Sequence, residues 1–148
     1  MLVVNRTRGT LMGVDVARAD SVRARMRGLY AYQHLMLGDG LWLVPCNNIQ
    51  TIGMKHTIDV VFLDRELRVV RIYQHLRPGR FTWWIRRAHS ALELPEGAVR
   101  SSETQIGDLL DFAEASGVPV GSEESQTREH SDPGHLPRAT DPVEERTL

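Results

Sequence analysis

Apolar and polar positions in the first 112 residues change over in short blocks, a spacing that favours strands over helices. Leu2-Val3-Val4 and the run from Leu11 to Val16 flank Asn5-Arg6-Thr7-Arg8-Gly9, which predicts an opening hairpin. Ser21, after Asp20, reads as a helix N-cap, with Val22, Met26 and Leu29 at i, i+4 and i+7 on one face of a short helix. Gly28 and Gly38-Asp39-Gly40 punctuate the chain between this helix and the next strand. Leu41-Trp42-Leu43-Val44 predicts that strand, stopped by Pro45.

Ile58-Asp59-Val60-Val61-Phe62-Leu63 is β-branched and aromatic and too short for a core helix, so it predicts a strand. Asp64-Arg65-Glu66 turns the chain into Leu67 to Tyr73, where apolar and charged residues interleave as in a strand with one wet face. Ala91-Leu92-Glu93-Leu94 predicts another strand, ended by Pro95 and Gly97, and Ile106 to Leu110 a closing one. About six short strands and one helix make a mainly β (α+β) fold, either a compact small sandwich or a partly closed barrel.

This pattern fades near Phe112. Residues 113–148 contain only Val118, Val120, Leu136, Val143 and Leu148 of the large aliphatic class, and no aromatic residue. So little apolar surface cannot offset an ordering entropy of roughly 1–2 kcal/mol per residue. Residues 1–112 are therefore read as one domain and 113–148 as a disordered acidic tail. Charge divides at the same place. The first segment carries 15 Arg/Lys against 11 Asp/Glu, or +4, and the second 3 against 8, or −5, giving the overall −1. An excess of +4 is well short of a duplex-binding footprint, so nucleic acid is not the expected partner. No run of 18 apolar residues is present, which excludes a spanning helix, and the N-terminal apolar stretch is too short for a secretory signal. With one cysteine among 148 residues, a disulfide framework is excluded and the cytoplasm is the expected compartment.

Few residues suggest chemistry. Cys46, His56 and Asp59 sketch a nucleophile, a base and its orienting carboxylate, although a free cysteine is more often a small buried hydrophobe. The histidines stand in no HxH or HxxxH pair, so neither a metal nor a cofactor is expected. Asp59 and Glu93 each interrupt an apolar strand, where a carboxylate needs hydrogen-bond donors. The expected donors are the backbone of Asn47, Asn48 and Thr51, the Lys55 ammonium and the amides after Pro95. Gly79-Arg80-Phe81-Thr82-Trp83-Trp84-Ile85-Arg86-Arg87 sets three aromatics among three arginines. The favoured reading is a hairpin whose aromatics cover a barrel end while the arginines snorkel to water. A protein partner held by Trp/Arg anchors along Arg80–Arg87 is the other reading, ahead of single-stranded nucleic acid or a membrane surface.

Several segments together resemble the DUF192 family of small bacterial and archaeal domains of unknown function. They are Arg27-Gly28-Leu29, Gly40-Leu41, the stretch from Met54 to Asp64, Ala91-Leu92-Glu93-Leu94-Pro95-Glu96-Gly97 and Gly107-Asp108. Pro45-Cys46-Asn47-Asn48-Ile49-Gln50-Thr51 looks like a Pro-Cys subgroup version, with Gln50 where histidine is expected. Ile52-Gly53 stands in place of the usual aromatic pair, and Ser101-Ser102-Glu103-Thr104 in place of a glycine ahead of Gly107. The resemblance implies a compact, mainly β fold and assigns no reaction.

The residues support two functional readings. The first is a non-catalytic binding or accessory module using a groove between Met54–Asp59 and Glu93–Gly97, with Met54, Lys55, Asp59, Glu93, Trp83 and Trp84 as binding residues and the Arg80–Arg87 stretch or the acidic tail as a possible protein contact. The second is a small hydrolase or transferase using Cys46, His56 and Asp59. The module is preferred, because a β scaffold presenting loops suits it and no complete catalytic set is evident. The tail reading makes its own prediction: deleting residues 113–148 leaves the urea midpoint nearly unchanged. A loss of more than about 1–2 kcal/mol would make the tail part of the fold.

Overall fold

A computed structural model describes residues 1–21 and 36–114. The short helix expected from Ser21 onward lies outside the described residues, as does nearly all of the 113–148 segment. Two sheets form the fold. The smaller has the order β2-β1-β8, from β1 (Leu2–Asn5), β2 (Thr10–Gly13) and β8 (Leu110–Ala113). The larger has the order β3-β4-β7-β5-β6, from β3 (Asp15–Ala19), β4 (Asp39–Leu43), β7 (Ser90–Pro95), β5 (Ile58–Leu63) and β6 (Val69–Leu76). One short helix, α1 (Ala98–Ser101), follows β7. The fold is a β-rich α+β arrangement of two sheets, not a closed barrel.

Both central strands, β5 and β7, are buried along their whole length, which is why their sequences read as continuous apolar runs. One face of the large sheet packs Val61, Leu63, Leu92 and Leu94 against Val3, Met12 and Leu110 of the small sheet. The other face carries Ile58, Val60, Phe62 and Ala91 with Leu41, Leu43 and Ile49. Trp42 of β4 stacks on Phe112 of β8, ring centroids 4.1 Å apart, adding an aromatic link between the sheets. Gly40 is needed where β4 passes β7: a Cβ there would lie 3.0 Å from Val16, 3.1 Å from Leu94 and 3.2 Å from the Glu93 carbonyl.

The opening hairpin pairs as expected, Val4 opposite Leu11 and Asn5 opposite Thr10. The apolar run after it is not one strand, however. It breaks at the exposed Val14, and Val16 crosses to the large sheet beside β4. The closing strand also starts later than expected. Ile106-Gly107-Asp108 forms a turn instead, because Asp108 is a hydrogen-bond hub. Its Oδ2 accepts from Asn5 Nδ2 (2.9 Å), Arg8 Nε (2.8 Å) and the Gln105 amide (2.9 Å). Burial pushes this carboxyl upward, but the bonds from Arg8, Asn5 and Gln105 and the Arg8 charge outweigh it and hold it below the usual range. The hub fastens the first hairpin to the last strand.

Asp59 makes the second tie. Leu76 pairs with Ile58 and Tyr73 with Val60, so β6 carries one extra residue opposite Asp59. In that bulge His75 takes φ +55°, and its amide donates to Asp59 Oδ1 at 3.0 Å. The other oxygen, Oδ2, accepts from the amides of Gly97 (3.0 Å) and Val99 (3.1 Å). Gly97 reaches this position with φ +91°, which any side chain would resist. Above the tie, His75 Nδ1 and Glu96 Oε1 hydrogen-bond at 2.6 Å. The amides after Pro95 are thus the donors expected for Asp59, joined by His75; Asn47, Asn48, Thr51 and Lys55 are not among them. Replacing Asp59 with Asn turns an NH2 group toward one set of amides, and the variant is expected to lose about 1–3 kcal/mol in urea unfolding. A melt equal to wild type would show that the carboxylate does not hold the bulge and α1 together.

Candidate functional site

Two long loops, residues 44–57 between β4 and β5 and residues 77–89 between β6 and β7, each run from one end of the large sheet to the other and pack Ile49 and Ile85 on the Ile58, Val60 and Phe62 face. Buried threonines lace them together. Thr51 Oγ1 donates to the Arg77 carbonyl at 2.7 Å and accepts from the Arg80 amide at 2.9 Å. Its own amide donates to the Arg80 carbonyl at 2.7 Å. The Thr82 amide donates to the Ile49 carbonyl, and its Oγ1 accepts the Ile49 amide at 2.9 Å. Gln50 bridges Phe81, and the Ile85 amide donates to the Asn47 carbonyl at 2.8 Å. Each such bond contributes about 1 kcal/mol net, so the pair behaves as one built surface and not as two loose segments.

The aromatics of the second loop do not cover the fold. Phe81 is 65% exposed, Trp83 79% and Trp84 77%, with Ile52 of the first loop 63% exposed. The expectation that they cap a barrel end is overturned, for two reasons. The sheets leave no barrel end to cover, and the inward positions of this loop belong to Thr82 and Ile85. Phe81 and Trp83 meet edge to face, centroids 6.0 Å apart at 73°. Met54 packs half-buried on the core below, and Lys55 and His56 are exposed.

Among the residues singled out in the sequence, Met54 and Lys55 belong to the first loop and Trp83 and Trp84 to the second; the antiparallel pairing of residues 49–51 with 80–82 sets Trp83 and Trp84 toward Asn47, and Met54 and Lys55 beyond Thr51. Asp59 and Glu93 lie below, within the sheet. Both oxygens of Asp59 are held by main-chain amides, none by a histidine ring. Cys46 is half-buried at the start of the first loop. Its thiol donates to the Asn48 carbonyl at 3.1 Å, and its amide donates to the His89 carbonyl. It lines a shallow hollow of about 220 Å³ with Pro45, Asn47, Ala88 and His89. His89, adjacent through this main-chain bond, was invisible as a neighbour in the sequence because 42 positions intervene. Among the described residues no three His, Cys, Asp or Glu side chains are grouped as metal ligands would be.

Glu93 departs from expectation. It lies in the row Leu41, Glu93, Val60 across three strands and is only 4% exposed, yet among the described residues no donor reaches its carboxyl. Burial alone pushes it from 4.5 up to about 7. The folded state thus holds a proton that the unfolded chain releases near 4.5. Stability is full below that pH, falls as pH rises toward 7, and is level above it. Glu93→Gln lacks this loss. We expect it to gain on wild type between pH 5 and pH 8, by up to about 3 kcal/mol at roughly 1.4 kcal/mol per unit. Parallel stability profiles of the two proteins would refute the buried, unpaired carboxyl.

Comparison with known proteins agrees with this architecture. A protein of unknown function from Novosphingobium aromaticivorans DSM 12444 has a similar fold at 15% identity and a TM-score of 0.59, covering 76% of this chain and 93% of its own. A structure described as a "putative transcription regulator" from Sinorhizobium meliloti 1021 is 18% identical at a TM-score of 0.61, covering 74% of this chain and 89% of its own. No curated protein matches the chain. The model of DUF192, described as "Uncharacterized ACR", matches residues 3–112, from the first strand to the last, and the chain belongs to that family.

Proposed function

We propose that the chain is a non-catalytic binding module, residues 1–112 with an acidic tail, whose contact surface is the laced loop pair. The observation that carries this reading is the exposure of Phe81, Trp83, Trp84 and Ile52 on loops pinned from below by Thr51 and Thr82. Large apolar side chains in water add nothing to the core and favour unwanted association, so a patch of them on a rigid support suits recognition. Rigid loops also lose little entropy on binding. Met54, Lys55, Trp83 and Trp84 belong to this surface. Asp59 and Glu93 act from beneath, Asp59 by fixing the strand from which the first loop enters the sheet. The groove expected between Met54–Asp59 and Glu93–Gly97 is narrowed by direct pairing of Ile58 with Pro95 and Asp59 with Leu94, which favours the loop crests as the point of contact. No helix among the described residues is long and apolar enough to cross a membrane. A cytoplasmic location fits the single cysteine.

Two measurements test the reading. Trp83→Ser and Trp84→Ser should each change unfolding free energy by no more than about 0.5 kcal/mol, the range for surface positions. A loss of several kcal/mol would make them core. A photoreactive phenylalanine analogue at position 84 should give discrete adducts in the producing cells, with protein or lipid, whereas the same analogue at the exposed Leu11 of β2 should give none. Equal labelling from both positions, or none from 84, would remove the loop pair as a contact surface.

A further inference from the structure

Acid and base share one space near the end of the second loop without pairing. The His89 amide donates to the Leu63 carbonyl at 2.7 Å, and the Ala88 amide closes a turn on the Ile85 carbonyl at 2.9 Å. Arg86 and Arg87 are thereby set beside the turn that follows β5. With Asp64 of that turn they line a hollow of about 280 Å³ walled by Val69, Val70, Ile85 and Ile106. An adjoining hollow of about 350 Å³ shares Asp64, Arg86 and Arg87 and adds Glu66. Asp64 is only 9% exposed, and its Oδ1 accepts the amides of Glu66 (3.1 Å) and Arg68 (2.8 Å). Its Oδ2 has no hydrogen-bond partner among the described residues, and none of Arg86, Arg87 and Glu66 forms an ion pair there. A carboxylate oxygen this deep is costly without a donor, so Oδ2 is an acceptor left for whatever enters the hollows.

We propose that these joined hollows bind a small zwitterion with an apolar side chain, the chemistry of a free aliphatic α-amino acid. Its ammonium donates to Asp64 Oδ2, its carboxylate accepts from the guanidinium groups of Arg86 and Arg87, and its side chain lies on Val69, Val70, Ile85 and Ile106. Three observations favour this occupant. Opposite charges line one space and stay apart, so a ligand of one sign meets repulsion: an anion from Asp64, a cation from the two arginines. Arginine suits a carboxylate because its planar fork can donate to both oxygens. The space is small, at the low end of the roughly 300–1,000 Å³ of ligand sites, and it combines an apolar wall with a few polar groups as such sites do. This site goes beyond the aromatic contact surface and does not depend on it.

The test titrates the ¹⁵N-labelled full chain with L-leucine up to about 20 mM, the weak end of small-ligand affinity, and follows amide shifts by NMR. The amides of Glu66 and Arg68, which bond Asp64, and of Gly107 in the hollow wall should move, while that of Val99 in α1 should not. Leucinamide lacks the carboxylate and N-acetylleucine the ammonium, and each should bind roughly two- to fivefold more weakly than leucine. Glycine, without the apolar side chain, should lose roughly tenfold. Arg86→Gln/Arg87→Gln changes two exposed residues and should lower leucine to the affinity of leucinamide. Asp64→Asn keeps an Oδ1 acceptor for the turn and should lower leucine to the affinity of N-acetylleucine. Arg100→Gln, on the exposed side of α1, should change nothing. If Asp64→Asn does not fold, the arginine variant and the ligand series decide. Absence of any shift at 20 mM leucine, or an unchanged affinity in the arginine variant, would overturn the proposal. N-acetylleucine binding as tightly as leucine would make the site one for anions or a peptide C-terminus, and leucinamide doing so one for cations or an N-terminus; in either case the zwitterion falls.

Discussion

Three main-chain amides converge on the Asp59 carboxylate, and the rest of the large sheet depends on that meeting. One oxygen holds the bulge of β6 through His75, and the other holds the start of α1 through Gly97 and Val99. All three amides belong to places where ordinary pairing fails, an extra residue in a ladder and the first turn of a four-residue helix. Without an acceptor, those donors would face an apolar core, which costs more than most single contacts contribute. The carboxylate in turn is tolerable in a buried strand only because three donors replace its water. Each side of the arrangement requires the other.

Three buried carboxyls illustrate how donors decide what burial does. Asp108 has Arg8, Asn5 and the Gln105 amide, and is held below the usual carboxylate range despite losing water. Asp59 has its three amides. Glu93, on the opposite face of the same sheet from Asp59, has no donor among the described residues, and burial alone governs it. Two acids at corresponding depths thus differ in role: one organises backbone, and the other holds a proton near neutrality within an aliphatic row.

The proposed contact surface arises from the same constraint on position. Strands β5 and β7 are covered on both faces, one of them by the two long loops, so contact is left to the outer side of those loops. Thr51 and Thr82 point inward and saturate the main chain of both loops, and the alternation of side chains then sends Phe81 and Trp83 outward. The small residues do the fastening. This leaves large aromatics at the surface, with arginines of the same loop that form no ion pair among the described residues.

Much of this was legible in the amino-acid sequence alone. Unbroken β-branched runs marked the central strands, because a strand buried on both faces needs no alternation, and Asp59 was recognisable as a carboxylate that must find donors, with the amides beyond Pro95 one of several expected sets. The compositional change near Phe112 coincides with β8, which ends at Ala113. Other features depend on partners distant in sequence. The break at Val14 arises because two sheets compete for one apolar run, and the turn at Asp108 because Asn5 and Arg8, about a hundred positions earlier, converge on it. Glu93 and Asp59 look alike as isolated acids in apolar strands; only the fold decides which meets donors, since β7 places Glu93 between Leu41 and Val60. Likewise, the aromatic loop reads first as cover and only second as contact until Thr51 and Thr82 are seen to occupy its inner side. Local pattern determines which residues form strands, whereas the direction a loop side chain faces is settled by hydrogen bonds to another loop some thirty residues away.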